Sequence, residues 1–433
     1  MGKILYLIVA SAFLGAGLFS IDIRIMQLSL YRLSLFAMVF YLLINNLLLD
    51  KKVNIRIKDR QSFIIRFYLF WVIYAIYSLA WVLDLTSGLK ILFFIGTGFL
   101  CIWLFSTFVR KEKDFKGIFN TIFLMIILHN ALAWFELQTG RYFFADLKKI
   151  DRYNNFSFDK SARVPITVFS NTNDFATLMT FGVFISFIVL LNTKKIWVRI
   201  LSSFTIISSV ILVFRSGSRA NMLGIILGVV AISMLIILKK VNKYVIISLG
   251  IAGIAFVLLY PPLNERIMAI IRNRVLSRFG SQSLSVKSDE VRGNLIKNGF
   301  IFLFNTLGFG TGVGNIEYWM QEKQVFYVGK VFNIHNWWVE ILVGYGIFVF
   351  MGYIFVYILK TQTLLIAYVK STSVFIRNTS LGLFGFMIAF IVSSVSSSSN
   401  INTEWLWLFW AVLIAFIGYI LRDFKMAQKV EIN

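Results

Sequence analysis

Four arginines of this chain stand in short polar stretches beside apolar runs: Arg163 in ARVPITVFSNTNDFA, Arg215 and Arg219 in FRSGSRANMLG, and Arg292 in SDEVRGNL. A guanidinium presents a planar fork of donors that matches phosphate oxygens two at a time and keeps its charge when partly desolvated. Several converging at a bilayer surface would suit a pyrophosphate. The same side chains can instead snorkel or anchor helix ends. For Arg215 and Arg219 the functional use is favoured, because two cations in a tight outward turn run against the charge bias of that side of a membrane. A titratable group joins them in NIHNWWVEILVGYG, where His335 meets an apolar run and Trp337 and Trp338 follow at interface depth. Imidazole accepts a proton near neutral pH, and it can equally cap a helix start. Glu340 is costly in lipid unless it faces the bundle or pairs, so a partner arginine or an orienting role is expected. In FSNTNDFATLM, Asn171, Asn173 and Asp174 have the chemistry of a helix cap, and Asp174 can also hold an arginine or a sugar hydroxyl.

The glycine-rich stretch GFGTGVGN, Gly308 to Asn315, superficially matches a dinucleotide fingerprint. It has no preceding strand and no βαβ unit, so that match is discarded. The glycines serve either close backbone approach to a membrane-surface ligand or tight turns before Tyr318 and Trp319. Besides His335 the only histidine is His129, inside an apolar run, and the only cysteine is Cys101. No metal site, intrachain disulfide or cofactor is expected from such a set.

The elements that must position these groups follow from composition. Of 433 residues, 58% are hydrophobic, 17% are aromatic and three are proline, which places the chain among membrane proteins. The net charge of +23 falls in short clusters between apolar runs, as membrane proteins retain it, and nucleic-acid binding is excluded on that ground. The expected fold is all-α, a polytopic integral membrane protein of about twelve transmembrane helices forming a single transmembrane domain over residues 1–433. The spans begin near Ile4, Leu28, Ser62, Leu89, Gly117, Thr172, Ile196, Ala220, Tyr244, Asn336, Ser380 and Thr403. Basic intervals, including one holding Lys360, Lys370 and Arg377, read as cytoplasmic and place both termini inside. Two long loops then face outward, 139–168 and 261–335, the second with short helices. The interval from Tyr260 to Asn336 carries nine Lys or Arg residues and ends at the histidine. The halves of the chain show no inverted pattern of broken spans, which weighs against a transporter.

Taken in order on this topology, RVPITVFSNTNDFA, SGSRANMLGIILG, DEVRGNL with LGFGTGVGN, and IHNWWVEILVGYG resemble the O-antigen polymerase and ligase family of bacterial membrane glycosyltransferases. The family includes polymerases for capsule, teichuronic acid and exopolysaccharide. The resemblance implies a donor glycan on undecaprenyl pyrophosphate, joined to an acceptor sugar at the outer face of the cytoplasmic membrane without a metal. It implies that Arg163, Arg215, Arg219 and Arg292 hold the pyrophosphate, with Asn173, Asp174 and Glu340 around the substrate, and that His335 assists the acceptor hydroxyl. Polymerisation of repeat units is the preferred reading, with ligation of finished polymer as the alternative and a polysaccharide flippase as the alternative from another class. The lipid bilayer, a chain-length regulator and a flippase are the implied companions.

Overall fold

The computed structural model describes residues 2–15, 20–22, 27–48, 59–144, 163–240, 288–397 and 399–432. Within them lie thirteen helices and one antiparallel pair, β1 (Ser20–Asp22) with β2 (Gln27–Ser29). The helices are α1 (Gly2–Ser11), α2 (Leu30–Leu48), α3 (Asp59–Ser78), α4 (Leu85–Phe108), α5 (Glu112–Thr139), α6 (Thr172–Asn192) and α7 (Ile196–Arg215). They continue as α8 (Arg219–Lys240), α9 (Ser288–Asn305), α10 (Ile316–Glu322), α11 (Trp337–Lys370), α12 (Val374–Ser393) and α13 (Glu404–Ile432). Among the described residues nine helices, α3 to α8 and α11 to α13, are long and apolar enough to cross a membrane. The expected all-α polytopic architecture is therefore present. Of the first two expected spans, the described residues hold the ten-residue α1 and, in α2, a shorter apolar stretch, Leu30–Asn45. The span expected near Tyr244, residues 145–162 of the first long loop and 261–287 of the second lie outside the described residues.

Lipid offers no hydrogen bonds to a backbone, so apolar runs of this length are helical, and their side chains sort by what each face meets. On α7 the residues Ile200, Phe204, Ile207, Ile211 and Phe214 repeat every three or four positions and are exposed, while Ser202, Thr205, Ser208 and Ser209 on the other side are buried. Trp134 Nε1 donates to Ser208 Oγ at 2.7 Å and Asn130 Nδ2 to Ser209 Oγ at 3.1 Å. Small polar residues at the helix contacts and large apolar ones toward lipid are the membrane inversion of a soluble helix. The apolar window of α13 is 89% buried against 28% for α8, so α13 is the central post and α8 lies at the periphery.

Helix α11 holds the main departure from the sequence reading, because its span is broken. Gly346 has φ 76° and ψ 179° inside it. Trp337 Nε1 donates to Tyr353 Oη at 2.9 Å, although sixteen residues of straight helix would set them about 24 Å apart. The short first half therefore folds back along the second. A break at this depth strands backbone groups, and the glycine stretch supplies their partners. Thr311 N–H donates to Val343 O at 2.8 Å, Gly312 N–H to Gly344 O at 3.1 Å, and Ile347 N–H to Gly308 O at 2.9 Å. A Cβ at Gly310, where φ is +82°, would lie 2.6 Å from Gly346 N, so only glycine fits that approach. Tyr74 and Trp81 donate to the carbonyls of Phe309 and Gly310 at 2.7 and 3.1 Å, pinning the stretch to α3 and the turn after it. Of the two uses expected for these glycines, turns and close approach to the protein's own backbone are what the structure contains.

Lys360 also departs from expectation. It sits inside the second half of α11, fully buried, rather than between spans. Its Nζ lies 3.8 Å from the Trp410 ring centroid, donates to Tyr68 Oη at 3.1 Å, and is flanked by the rings of Tyr353 and Tyr357. Aromatic faces carry negative quadrupole, so they hold an ammonium in place of water.

Candidate functional site

One end of the bundle collects the helix ends at which the chemistry-bearing residues stand, and the serine-rich connector between α12 and α13 runs through it. On one side the connector meets α6 and α8. Asn221 Nδ2 donates to Ser218 Oγ at 2.9 Å and Ser396 Oγ at 3.2 Å, Thr180 Oγ1 donates to Asn221 Oδ1 at 3.0 Å, and Thr177 and Ser397 hydroxyls are 3.1 Å apart. On the other side it meets the start of α11: Ser399 Oγ donates to Glu340 Oε1 at 2.6 Å and Trp337 N–H to Ser394 O at 3.2 Å. The α7–α8 turn and the His335 corner are thereby fixed to one short segment.

Arg215 and Arg219 bracket the α7–α8 turn, in which Gly217 takes φ 72°. Both are exposed, and among the described residues neither guanidinium has a hydrogen bond or ion pair. Asn171 caps α6 by accepting from Asn173 N–H at 2.7 Å, with Asp174 in the first turn. Asp174 and Glu317 are both within electrostatic range of Glu340.

His335 has φ 53°, a left-handed conformation uncommon for a residue with a side chain. The chain around it is fixed on both sides. Its N–H donates to Asn333 Oδ1 at 3.0 Å, and Asn336 next to it caps α11 by accepting from Trp338 and Val339 N–H at 3.1 and 3.3 Å. Above this corner α9, α10 and residues 323–334 form a cap with its own small core, in which Leu295, Phe302, Met320, Val328 and Ile334 are buried. Arg292 stands half-buried on α9, in the cap, whose main packing is against α11.

Between the cap, the first turns of α4 and the serine connector lies a cavity of about 150 Å³, with Glu317, Asn333, Glu340 and Ser399 in its wall. Ser87 lines it from α4, whose N-cap Asp84 accepts from Thr86 and Ser87 N–H. Hydrogen bonding from Ser87, ahead of Thr86, holds the Asp84 carboxyl below the usual carboxylate range.

Arg163 is placed differently from the other arginines. It is buried, and its Nη1 donates to Leu137 O at 3.2 Å and Gln138 O at 2.6 Å, the last carbonyls of α5. Next to it Glu136 Oε2 accepts from Ile166 and Thr167 N–H, both at 2.9 Å, and His129 bridges Thr167 Oγ1 and Phe13 O at 3.1 and 2.8 Å. His129 is a packing residue, as its apolar surroundings suggest. Glu340, for which a partner arginine or an orienting role was expected, accepts its hydrogen bond from Ser399.

Four residues at this end escaped the sequence reading. Glu317, Ser399 and Lys90 line the cavity, and no local pattern distinguishes them from ordinary surface residues. The fourth, Arg32, pairs with Glu404 at 3.2 Å, both buried, with Ser29 Oγ on the same carboxylate oxygen at 2.5 Å. Its signal was present: each partner is a charge in the first turn of an apolar helix, where an unpaired charge is costly.

Residues 204–354 match a family model described as O-antigen ligase, an interval that contains Arg215, Arg219, Arg292, His335 and Glu340. The teichuronic acid biosynthesis protein TuaE of Bacillus subtilis (strain 168) is 30% identical over 452 aligned residues, covering 99% of this chain and 86% of that protein.

Proposed function

This chain belongs to the O-antigen polymerase and ligase family of multi-pass membrane proteins, and on that premise we propose that it polymerises lipid-linked oligosaccharide repeat units into a surface polysaccharide. Its role in cell-surface polysaccharide synthesis comes with the family. The finer reading is ours: the donor is carried on undecaprenyl pyrophosphate, and transfer takes place at the outer face of the cytoplasmic membrane. The end of the bundle opposite the cavity supports that orientation, since Arg110, Lys111, Lys194, Lys195, Arg377 and Arg422 gather there.

In the proposed step an acceptor hydroxyl oxygen attacks the donor's anomeric carbon. The bond from that carbon to the pyrophosphate oxygen breaks, the electron pair leaves with the pyrophosphate, and the hydroxyl proton passes to His335. Guanidinium forks stabilise the charge that grows on the leaving group. With arginines supplying that charge, the step is written without a metal. The observation that carries this reading is the pair of uncommitted guanidiniums at Arg215 and Arg219, tied through one serine connector to the His335 and Glu340 corner. Arg292 enters from the cap. Arg163, named with the pyrophosphate ligands above, braces the end of α5 through Nη1.

Transport by a flippase has one observation in its favour, the interrupted helix α11, because transporters coordinate substrates at such breaks. Here the groups freed by the break are already bonded to the glycine stretch. Deleting the gene distinguishes the remaining readings: lipid carriers holding single repeat units accumulate if the chain is a polymerase, and long unattached polymer accumulates if it is a ligase. His335→Ala is expected to behave as the deletion does, and full-length polymer from that variant removes the histidine from the mechanism.

A further inference from the structure

The cap presents an apolar face on the side away from its own core. Phe300 and Phe304 on α9 and Leu307 in the turn after it recur at helical spacing, and all three are exposed, Phe304 by 83% and Leu307 by 86%. The opposite positions, Leu295, Asn298 and Phe302, are buried, and the Phe302 ring meets Trp319 at 5.3 Å. Followed back toward the start of α9 the exposed stripe changes character, because its earlier members are Lys297 and Glu290. A water-facing cap would carry polar residues along the whole stripe. Here the switch falls within one helical turn, between Lys297 and Phe300.

The stripe runs on into a surface that already faces lipid. The Gly308 carbonyl, next to Leu307, accepts Ile347 N–H at 2.9 Å, and the Phe309 ring lies 6.4 Å from that of Phe348. Phe348, Met351 and Phe355 continue along one exposed side of the second half of α11, a helix long and apolar enough to cross a membrane. Depth is given by tyrosine and tryptophan, which collect where a membrane meets water. Tyr74 and Trp81 donate to the carbonyls of Phe309 and Gly310, so the end of α9 stands at that boundary. An apolar stripe at this depth, with a lysine where it turns polar, is the pattern of a helix lying in the interface. We propose that Phe300, Phe304 and Leu307 are bedded among the acyl chains of the adjoining leaflet, so that the cap is a membrane-inserted element and not a water-borne lid. On its other side α9 packs closely on α11, where a Cβ at Gly299 would lie 3.0 Å from the Val343 side chain. Membrane and bundle together then hold the cap, and Arg292 with it, over the His335 corner. The inference stands on the lipid-facing surface and does not depend on glycosyl transfer.

The test uses the full-length protein in nanodiscs, in which the sole cysteine, Cys101, is fully buried and leaves an introduced thiol as the one accessible label site. Phe304→Cys is labelled with a fluorophore, and its quenching is compared between lipids brominated near the top of the acyl chain and iodide in the water. Phe300→Cys repeats the measurement should the first variant fold poorly. Phe348→Cys is the lipid-facing reference and Glu290→Cys the water-facing one. The expected result at Phe304 and Phe300 is a loss of fluorescence to brominated lipid as large as at Phe348, with little loss to iodide. Iodide quenching as strong as at Glu290, without loss to brominated lipid, overturns the proposal by placing the stripe in water. Weak quenching by both overturns it as well, with the stripe covered by protein, whether residues 241–287 or a second copy of the chain.

Discussion

The α5–α6 corner and the α7–α8 turn both place arginine at the same end of the bundle, and they use it in opposite ways. At the corner, Arg163 is buried and bonded to the terminal carbonyls of α5, Glu136 takes two backbone N–H groups, and His129 links two further segments. At the turn, Arg215 and Arg219 are exposed and make no bond among the described residues, while their neighbours Ser218 and Asn221 are buried and anchored. Rigid backbone carrying uncommitted guanidinium is what preorganised anion recognition requires, because little must rearrange when charge arrives. At Arg163 one nitrogen of the fork, Nη1, is already committed to the chain's own carbonyls.

Substitutions sharpen this contrast. The largest effect is expected of Arg215→Ala with Arg219→Ala. Losing a single stabilising donor costs on the order of 100-fold in rate, so the double variant should fall by at least about 1,000-fold in polymer formed, at unchanged abundance in the membrane. Gel analysis of surface polysaccharide beside an immunoblot checks both parts. Arg163→Ala should do the reverse. Removing charged hydrogen bonds from a buried site costs about 2–4 kcal/mol of stability, read as a lower melting temperature and lower abundance, with activity per folded molecule retained. A normal melting temperature with lost activity would break the comparison, moving Arg163 to the reacting groups. The smallest effect is expected of Asn336→Ala, which removes the cap of α11 at about 1 kcal/mol. Because that cap fixes His335 and Glu340, activity should drop several-fold with little loss of protein.

The sequence made some of this legible and hid the rest for definite reasons. Apolar runs of membrane length identify α3 to α8 and α11 to α13, because in lipid length and hydropathy nearly determine helix. The cap at Asn171 was readable too, since side-chain capping is local chemistry, whereas at the start of α11 the cap is Asn336 and not the histidine before it. What depends on distant partners was not. Gly346 in an apolar run looks like any small residue of a packed span, and its break becomes tolerable only through Thr311 and Gly312 on another segment. Lys360 counted as a charge between spans because hydropathy does not register the aromatic rings that enclose it. Residue type likewise does not reveal that Arg163, grouped with the phosphate ligands, is buried with Nη1 on the last turn of α5. Arg32 and Glu404 lie near opposite ends of the chain, and only the fold brings them to 3.2 Å.

On the proposed function, this protein makes a glycosidic bond from a lipid-pyrophosphate donor using the arginine turn. The most direct test is purified protein in liposomes supplied only with lipid-linked repeat unit, without nucleotide or ion gradient, with products resolved by gel and mass spectrometry. The expected product is a ladder of polymer lengths with release of the free lipid pyrophosphate, absent when Arg215 and Arg219 are both alanine. Movement of intact repeat units across the bilayer without bond formation, or an undiminished ladder from the double variant, would contradict that function.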